Sequence, residues 1–366
     1  MGDGLYSEPR PLTATFAEVS SHLRLSVLDQ SPIAEGSDGG VALANTIDLA
    51  RLADDLGYHR YWVAEHHGGP MLAGAAPEVL IATIASATER IRVGSGGVML
   101  PHYSPLKVAE TFSILAGLNP GRIDLGIGRA PGTDAITSHA LQRDRSQAVP
   151  DDFPAQLAEL LAYLEDRMPA NHPFARLAAL PGGSARPEVW MLGSSPQSGI
   201  WAAELGLPFA FADFINPDGA AIARSYASTF TDSQRLAAPQ SAVSVWVIAA
   251  DSDEEAQRLA SSSRMAMRLL RQGSLIAIPP PEKAQAYLRE QGGDPSGGRR
   301  AILGTPDRVK AEIEAVAQAY GASEVIVVTI THDHAARRRS YELIAEAFGL
   351  GSSSQDCAPI GSVAAV

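Results

Sequence analysis

The chain has 366 residues, 45% hydrophobic and 19% charged, a globular composition with enough apolar material for one large core. A formal net charge of −12 argues against nucleic acid or an anionic membrane as partner, since phosphate binding wants clustered Lys and Arg. Cys357 is the single cysteine, which excludes an intrachain disulfide; no signal-like segment opens the chain and no run could span a bilayer, so a cytoplasmic protein is expected.

Residues 1–22 read as a loose N-terminal extension, 23–350 as a single domain, and the Ser/Gly/Ala-rich 351–366 as a disordered tail. Within the domain, strand-like and helix-like segments alternate. Residues 24–29 read as a first strand, followed by a helix with Leu49, Leu52, Ala53 and Leu56 on one face and Gly57 as its stop. Residues 60–65 make a second strand, 91–100 a third and 122–127 a fourth. Helices follow the second through Leu80 and Ile84, and the third through Val108, Phe112 and Leu115. Strands five to eight fall at 189–192, 208–211, 243–249 and 324–330. Before the eighth, a helix opens at Gly304-Thr305-Pro306, where Thr305 can cap and Pro306 fits the first turn. The basic run Arg337-Arg338-Arg339 reads as a solvated helix face. This alternation predicts an α/β fold, a (β/α)8 TIM barrel with insertions after strands 4 and 7. Those insertions are 131–186 and 273–300, the second reading as a mobile loop. No Gly-x-Gly-x-x-Gly turn follows the first strand, which lowers the open Rossmann alternative.

Barrel sites gather where strands end. The second strand runs into Glu65-His66-His67, and alternation puts His66 on the face of Trp62 and Ala64, with Glu65 and His67 opposite. A histidine there can handle protons near neutral pH or can simply be structural. The third strand carries Gly94, Gly96 and Gly97, which fit either a flat ligand against bare backbone or barrel curvature. Arg129, after the fourth strand, offers a planar fork of donors suited to phosphate. The turn Gly193-Ser194-Ser195-Pro196-Gln197-Ser198 opens a helix whose free N–H groups and hydroxyls make an anion site, or else a plain serine N-cap.

Tyr61-Trp-Val-Ala-Glu-His-His67, Val93-Gly-Ser-Gly-Gly-Val-Met-Leu-Pro101 and Gly121-Arg-Ile-Asp-Leu-Gly-Ile-Gly-Arg129 resemble the bacterial luciferase-like flavin-dependent monooxygenase superfamily. Trp201 to Pro208 and Gly304-Thr-Pro306 extend the resemblance across about 23–350, and Asp29-Gln-Ser-Pro32 is similar to the subgroup of actinobacterial polyketide-pathway oxygenases. The resemblance implies an FMN-dependent monooxygenase that uses reduced FMN and O2, through a C4a-peroxyflavin, on a small organic substrate (aldehyde, ketone or aromatic polyketide-like). It implies that His66 is catalytic, that Gly96 and Gly97 form a non-prolyl cis peptide behind the isoalloxazine, and that Arg129, Ser194, Ser195 and Ser198 bind the phosphate. It also implies a flavin reductase as supplier of FMNH2, and a homodimer. The chain departs at Gly128, where luciferase itself carries a reactive cysteine, which argues against light emission.

Three rivals stay open from sequence. One is an F420-dependent oxidoreductase on the same fold, and another a non-catalytic flavin-binding protein. The third is a metal-dependent barrel hydrolase built on Glu65, His66, His67 and His102, although adjacent histidines in extended chain do not readily converge on one ion. No metal is expected.

Overall fold

Nine parallel strands organise the computed structural model, which describes residues 23–130, 133–142, 144–147, 151–177, 180–292 and 300–351. They are β1 (Arg24–Asp29), β2 (Arg60–Val63), β3 (Arg92–Met99), β4 (Ile123–Gly128), β5 (Glu188–Gly193), β6 (Phe209–Ala212), β7 (Ser241–Ala249), β8 (Ala301–Gly304) and β9 (Glu324–Val328). All but β8 close into a (β/α)8 barrel: β1 to β6 pair in sequence order, β6 pairs with β7, β7 with β9, and β9 with β1. The extension 1–22 and nearly all of the tail 351–366, Cys357 included, lie outside the described residues.

β8 is a correction to the sequence reading. It pairs only with β7, from Trp246↔Ala301 to Ala249↔Gly304, past the point where β6 leaves β7 at Ser244. Four residues are too few for a period to show, so this segment reads from sequence as no more than the approach to a helix.

The helices are α1 (Gly39–Leu56), α2 (Pro77–Ala87), α3 (Pro105–Leu118), α4 (Ala135–Leu141), α5 (Phe153–Leu164), α6 (Pro196–Glu204), α7 (Ala220–Thr229), α8 (Asp253–Arg271), α9 (Pro281–Gln291), α10 (Pro306–Tyr320) and α11 (His334–Phe348). Gly57 stops α1 at φ 85°, a backbone that a residue with a Cβ adopts poorly. The insertion after β7 is not a loop throughout, because Pro281 opens α9; residues 293–299 lie outside the description. Thr305 takes the N-cap position of α10 with Pro306 behind it, but its side chain makes no capping bond. Its backbone N–H instead reaches Asp253 Oδ1 at 3.1 Å.

Arg337 is a second correction. It is 2% exposed, donates through Nη2 to Asp29 Oδ1 at 2.6 Å and through Nε to Thr329 O at 2.9 Å. Only Arg338 and Arg339 form a partly solvated face, paired with Asp48 and Asp251. Consecutive helical positions turn by about 100°, so a run of three like charges cannot all face one way.

The barrel's floor is ionic. Arg60, at the start of β2, is 1% exposed; its Nη1 donates to Asp124 Oδ2 at 2.7 Å, and Nε forms a 2.7 Å ion pair with Glu324 without a hydrogen-bond angle. Trp62 Nε1 donates to the same Asp124 oxygen at 2.9 Å, and the Arg60 guanidinium lies 4.7 Å from the Trp190 ring centre. These groups plug the N-terminal end, so the open end is the other one, where β2, β3, β4 and β5 deliver the predicted site residues.

Candidate active site

A cavity of about 690 Å³ opens at the C-terminal ends of the strands, large enough for a cofactor-sized ligand. Its floor includes Leu28 and Trp62, and the Asp124 bond to the Trp62 indole ties that floor to the ionic plug. All the residues predicted to bind cofactor line it: Gly96, Gly97, Arg129, Ser194, Ser195 and Ser198. They come from three separate segments of the sequence, and the fold brings them to one cavity.

Arg129 leaves the end of β4 with its guanidinium 5.7 Å from the Trp201 ring centre, and its Nη2 lies 3.1 and 3.0 Å from the two Asp151 oxygens. Beside it, α6 starts at Pro196 with Ser195 as N-cap, extended at φ −127° and ψ 157°. The Ser195 side chain makes no capping bond, so the plain N-cap reading does not hold there. Ser198 Oγ turns back to donate to Ser195 O at 2.8 Å, and Asn216 Nδ2 donates to Ser194 O at 3.0 Å. The first-turn N–H groups of α6 therefore receive no capping bond from the Ser195 side chain.

The Gly96–Gly97 peptide is cis and belongs to the cavity wall. A β-bulge falls between Gly96 and Val98 in the pairing with β4. A Cβ on Gly96 would stand 2.5 Å from Leu28 Cδ1, one on Gly97 2.6 Å from Leu192 Cδ1, and one on Gly94 2.6 Å from Asp124 Cβ. Barrel packing thus accounts for all three glycines, and for Gly96 and Gly97 the same lack of side chain leaves bare backbone on the cavity.

β2 ends at Val63, so the Glu-His-His segment lies just past the strand. Glu65 is fully buried and accepts from Tyr103 Oη at 2.8 Å and Met99 N at 2.9 Å, with His67 Nε2 2.7 Å away. Burial and the Glu65 carboxylate push the Tyr103 hydroxyl far above its ordinary range. His66 donates its backbone N–H to Gly74 O at 2.8 Å, and its Nδ1 is buried with no hydrogen-bond partner. Loss of hydration, and secondarily His67, lower its pKa to about 4. His66 is not among the residues lining the main cavity; the histidine that does line it is His102, whose ring stands edge-on to His67 with centroids 6.0 Å apart. Trp62 and Asp151 also line the cavity without having been singled out as site residues, and His102 was named only as a ligand in the metal-hydrolase alternative. For His102 the available signal was its place directly after Pro101, in the short 3-10 turn (Leu100–His102) that follows β3.

An eight-stranded parallel barrel with a ligand-sized cavity at its C-terminal mouth has the architecture of a barrel enzyme. The chain belongs to the luciferase-like monooxygenase family, whose model matches residues 23–324. It is 42% identical over 325 residues to a luciferase-like monooxygenase of Escherichia coli K12, covering 88% of this chain and 96% of that protein. With N-acetyl-S-alkylcysteine monooxygenase of Bacillus subtilis it shares 36% identity over 329 residues, covering 89% and 98%. Among solved structures, apo-MsnO8 superposes with a TM-score of 0.82 at 43% identity, covering 90% of this chain and 99% of that one. Two more distant structures share the fold: the FMN complex of the oxygenating component of 3,6-diketocamphane monooxygenase from Pseudomonas putida (22% identity, TM-score 0.66) and an F420-dependent secondary alcohol dehydrogenase (14%, 0.65). Among the described residues, no helix is long and apolar enough to cross a membrane.

Proposed function

We propose that this chain is a cytoplasmic FMN-dependent monooxygenase that takes reduced FMN from a separate reductase and uses O2 to oxygenate a small organic substrate, an aldehyde, ketone or aromatic polyketide-like molecule. The observation that carries this reading is one cavity with an arginine–serine anion seat at one side and a bare glycine peptide in its wall. The residues fit the cofactor: Ser195 has an uncapped hydroxyl, and Gly96 and Gly97 present only backbone. His66 keeps a buried Nδ1 without a protein partner, but it lies outside the cavity lining and so is no part of this fit. The FMN complex of 3,6-diketocamphane monooxygenase supports the choice of cofactor by analogy of fold alone.

Arg129 and the serines of the α6 turn would hold the phosphate, and Gly96–Gly97 would back the ring. Reduced FMN, when bound, supplies the electrons that activate O2. The apolar wall of Leu28, Leu192, Ala210 and Phe214 would exclude water and favour an uncharged substrate. His66 is given the proton-transfer role by resemblance; its Nδ1 has no protein partner, and its ring would have to turn toward the cavity, which it does not line, to take or return a proton there.

Anaerobic titration with reduced FMN and, separately, reduced F420 tests the cofactor. Mixing the FMN complex with O2, and then with candidate substrates, tests the chemistry. The expected result is tighter binding of FMN and an absorbance transient that outlives the oxidation of free flavin. Preferred binding of F420 with no oxygen reaction would point to the hydride-transfer reading. Flavin binding with oxidation at the free-flavin rate would make the protein a carrier.

A further inference from the structure

Arg129 already holds an anion. Its Nη2 bridges both oxygens of Asp151 at 3.1 and 3.0 Å, and both residues line the cavity, so the carboxylate and an incoming ligand share that space. The Trp201 indole, 5.7 Å from the guanidinium carbon, covers one face, which leaves the edge as the approach for an incoming anion. Asp151 uses a single nitrogen, whereas a fork-on-fork pair uses two. Half of the Arg129 side chain and 75% of that of Asp151 are exposed, and ion pairs so exposed are weak.

We propose that Asp151 is an internal competitor for the phosphate seat: its carboxylate takes the edge of Arg129 until a phosphate monoester displaces it. Flavin affinity is then set by the exchange of one anion for another. This inference rests on the FMN reading above. The exchange favours phosphate because a monoester carries close to two charges and three strong acceptor oxygens, and can also use the Ser195 hydroxyl and the first-turn N–H groups of α6, which Asp151 leaves unused. The exchange keeps the hold on flavin moderate, as suits a molecule that must arrive reduced and leave oxidised. Asp152 provides an internal control, because it lines the same cavity with the same charge but forms no bond to Arg129.

The test is equilibrium titration of the full-length protein and its Asp151→Asn, Asp152→Asn and Arg129→Gln variants with FMN and with riboflavin, at one ionic strength, followed by flavin fluorescence. Asp151→Asn is expected to tighten FMN about two- to fivefold, the scale of an exposed pair, and to leave riboflavin unchanged. Asp152→Asn should do distinctly less. Unchanged or weaker FMN binding in Asp151→Asn would make Asp151 a support for Arg129 and overturn the inference; equal tightening in both variants would reduce it to a general field effect and overturn it too. Arg129→Gln decides the underlying reading separately. If it leaves the ratio of FMN to riboflavin affinity at the wild-type value, the phosphate seat itself is wrong. If it lowers that ratio while Asp151→Asn changes nothing, only the competitor role is lost.

Discussion

Glu65 Oε1 stands 2.7 Å from His67 Nε2. The contact holds Glu65 and His67 together, while the intervening His66 turns its backbone N–H to Gly74 O. The buried carboxylate is consumed by three donors, which leaves His66 without an acidic partner and with its Nδ1 unmet.

That arrangement predicts a specific kinetic behaviour for His66. Replacement by Ala or Asn should keep FMN affinity within about twofold and lower turnover by about 10²–10⁴, the usual worth of a positioned proton donor or acceptor. Flavin titration paired with substrate-dependent oxygen uptake measures both. Loss of flavin affinity with unchanged turnover of the bound fraction would give His66 a binding role instead.

A pH effect on stability follows from the same group. Burial holds His66, and likewise His59 near Arg60, Arg24 and Arg92, at about 4, against an ordinary value of 6.5. Between those values the unfolded chain binds more protons than the folded one, so stability rises with pH across about 4 to 6.5 and levels off above. Denaturant midpoints at pH 5 and pH 7.5 should differ, and His66→Gln should shrink the difference. An unchanged difference in that variant would mean that other groups carry the whole slope.

Much of the fold could be read from the chain because apolar strands and amphipathic helices alternate with clear stops such as Gly57. That Arg129 and the Ser-Pro turn were candidates for a shared pocket was legible as well, since each stands out locally, and both line the cavity. Relations set by three-dimensional pairing were not. Arg60, Asp124 and Glu324 lie far apart in sequence, and nothing in the spacing of their strands announces a shared ionic floor. Arg337 looks identical to its two neighbours until the helix is placed against Asp29. Asp151 belongs to a segment whose composition says only that it is polar, and its meeting with Arg129 is a product of the insertion's path.

Gly97→Ala should disturb both wall and barrel. The added methyl would sit 2.6 Å from Leu192 Cδ1 and 2.7 Å from Gly126 O; the side chain can shift but the carbonyl cannot. Overpacking of this kind costs about 1–3 kcal/mol, and displacing Leu192 pushes it into the cavity. The expected outcome is a lower denaturation midpoint together with weaker flavin binding. Retention of both would show that the wall has slack that these contacts do not suggest.

Asp124→Asn tests the ionic floor. Asp124 is fully buried and serves Arg60, Arg92 and the Trp62 indole. Removing its charge leaves buried guanidinium short of a counter-charge, a loss of about 3–5 kcal/mol when one partner of a buried pair is neutralised. Chemical denaturation measures it. A loss below about 1 kcal/mol would mean that Glu188 and Glu324 already satisfy the two arginines.

The last prediction concerns self-association. The outer face of α2 carries Val79, 62% exposed, followed by Thr83 and Ser86, whose hydroxyls are turned back onto Val79 O and Ala82 O. On α3, Ile114 and Leu118 are 46% and 73% exposed and sit one helical turn apart on the same side. The hydroxyls spend their donors within α2, so on that helix the exposed stripe offers apolar contact, the kind of surface that can pair with another protein. If the chain pairs as the resemblance implies, this exposed apolar face is where two copies would meet. Leu118→Glu alters a side chain that the monomer leaves mostly in water, so the fold should tolerate it while the pairing should not. Light scattering at micromolar concentration should give a dimer for the unaltered protein and a monomer for the variant, with the same circular dichroism. A monomeric unaltered protein, or a variant that keeps the dimer mass, would move the interface elsewhere or remove it.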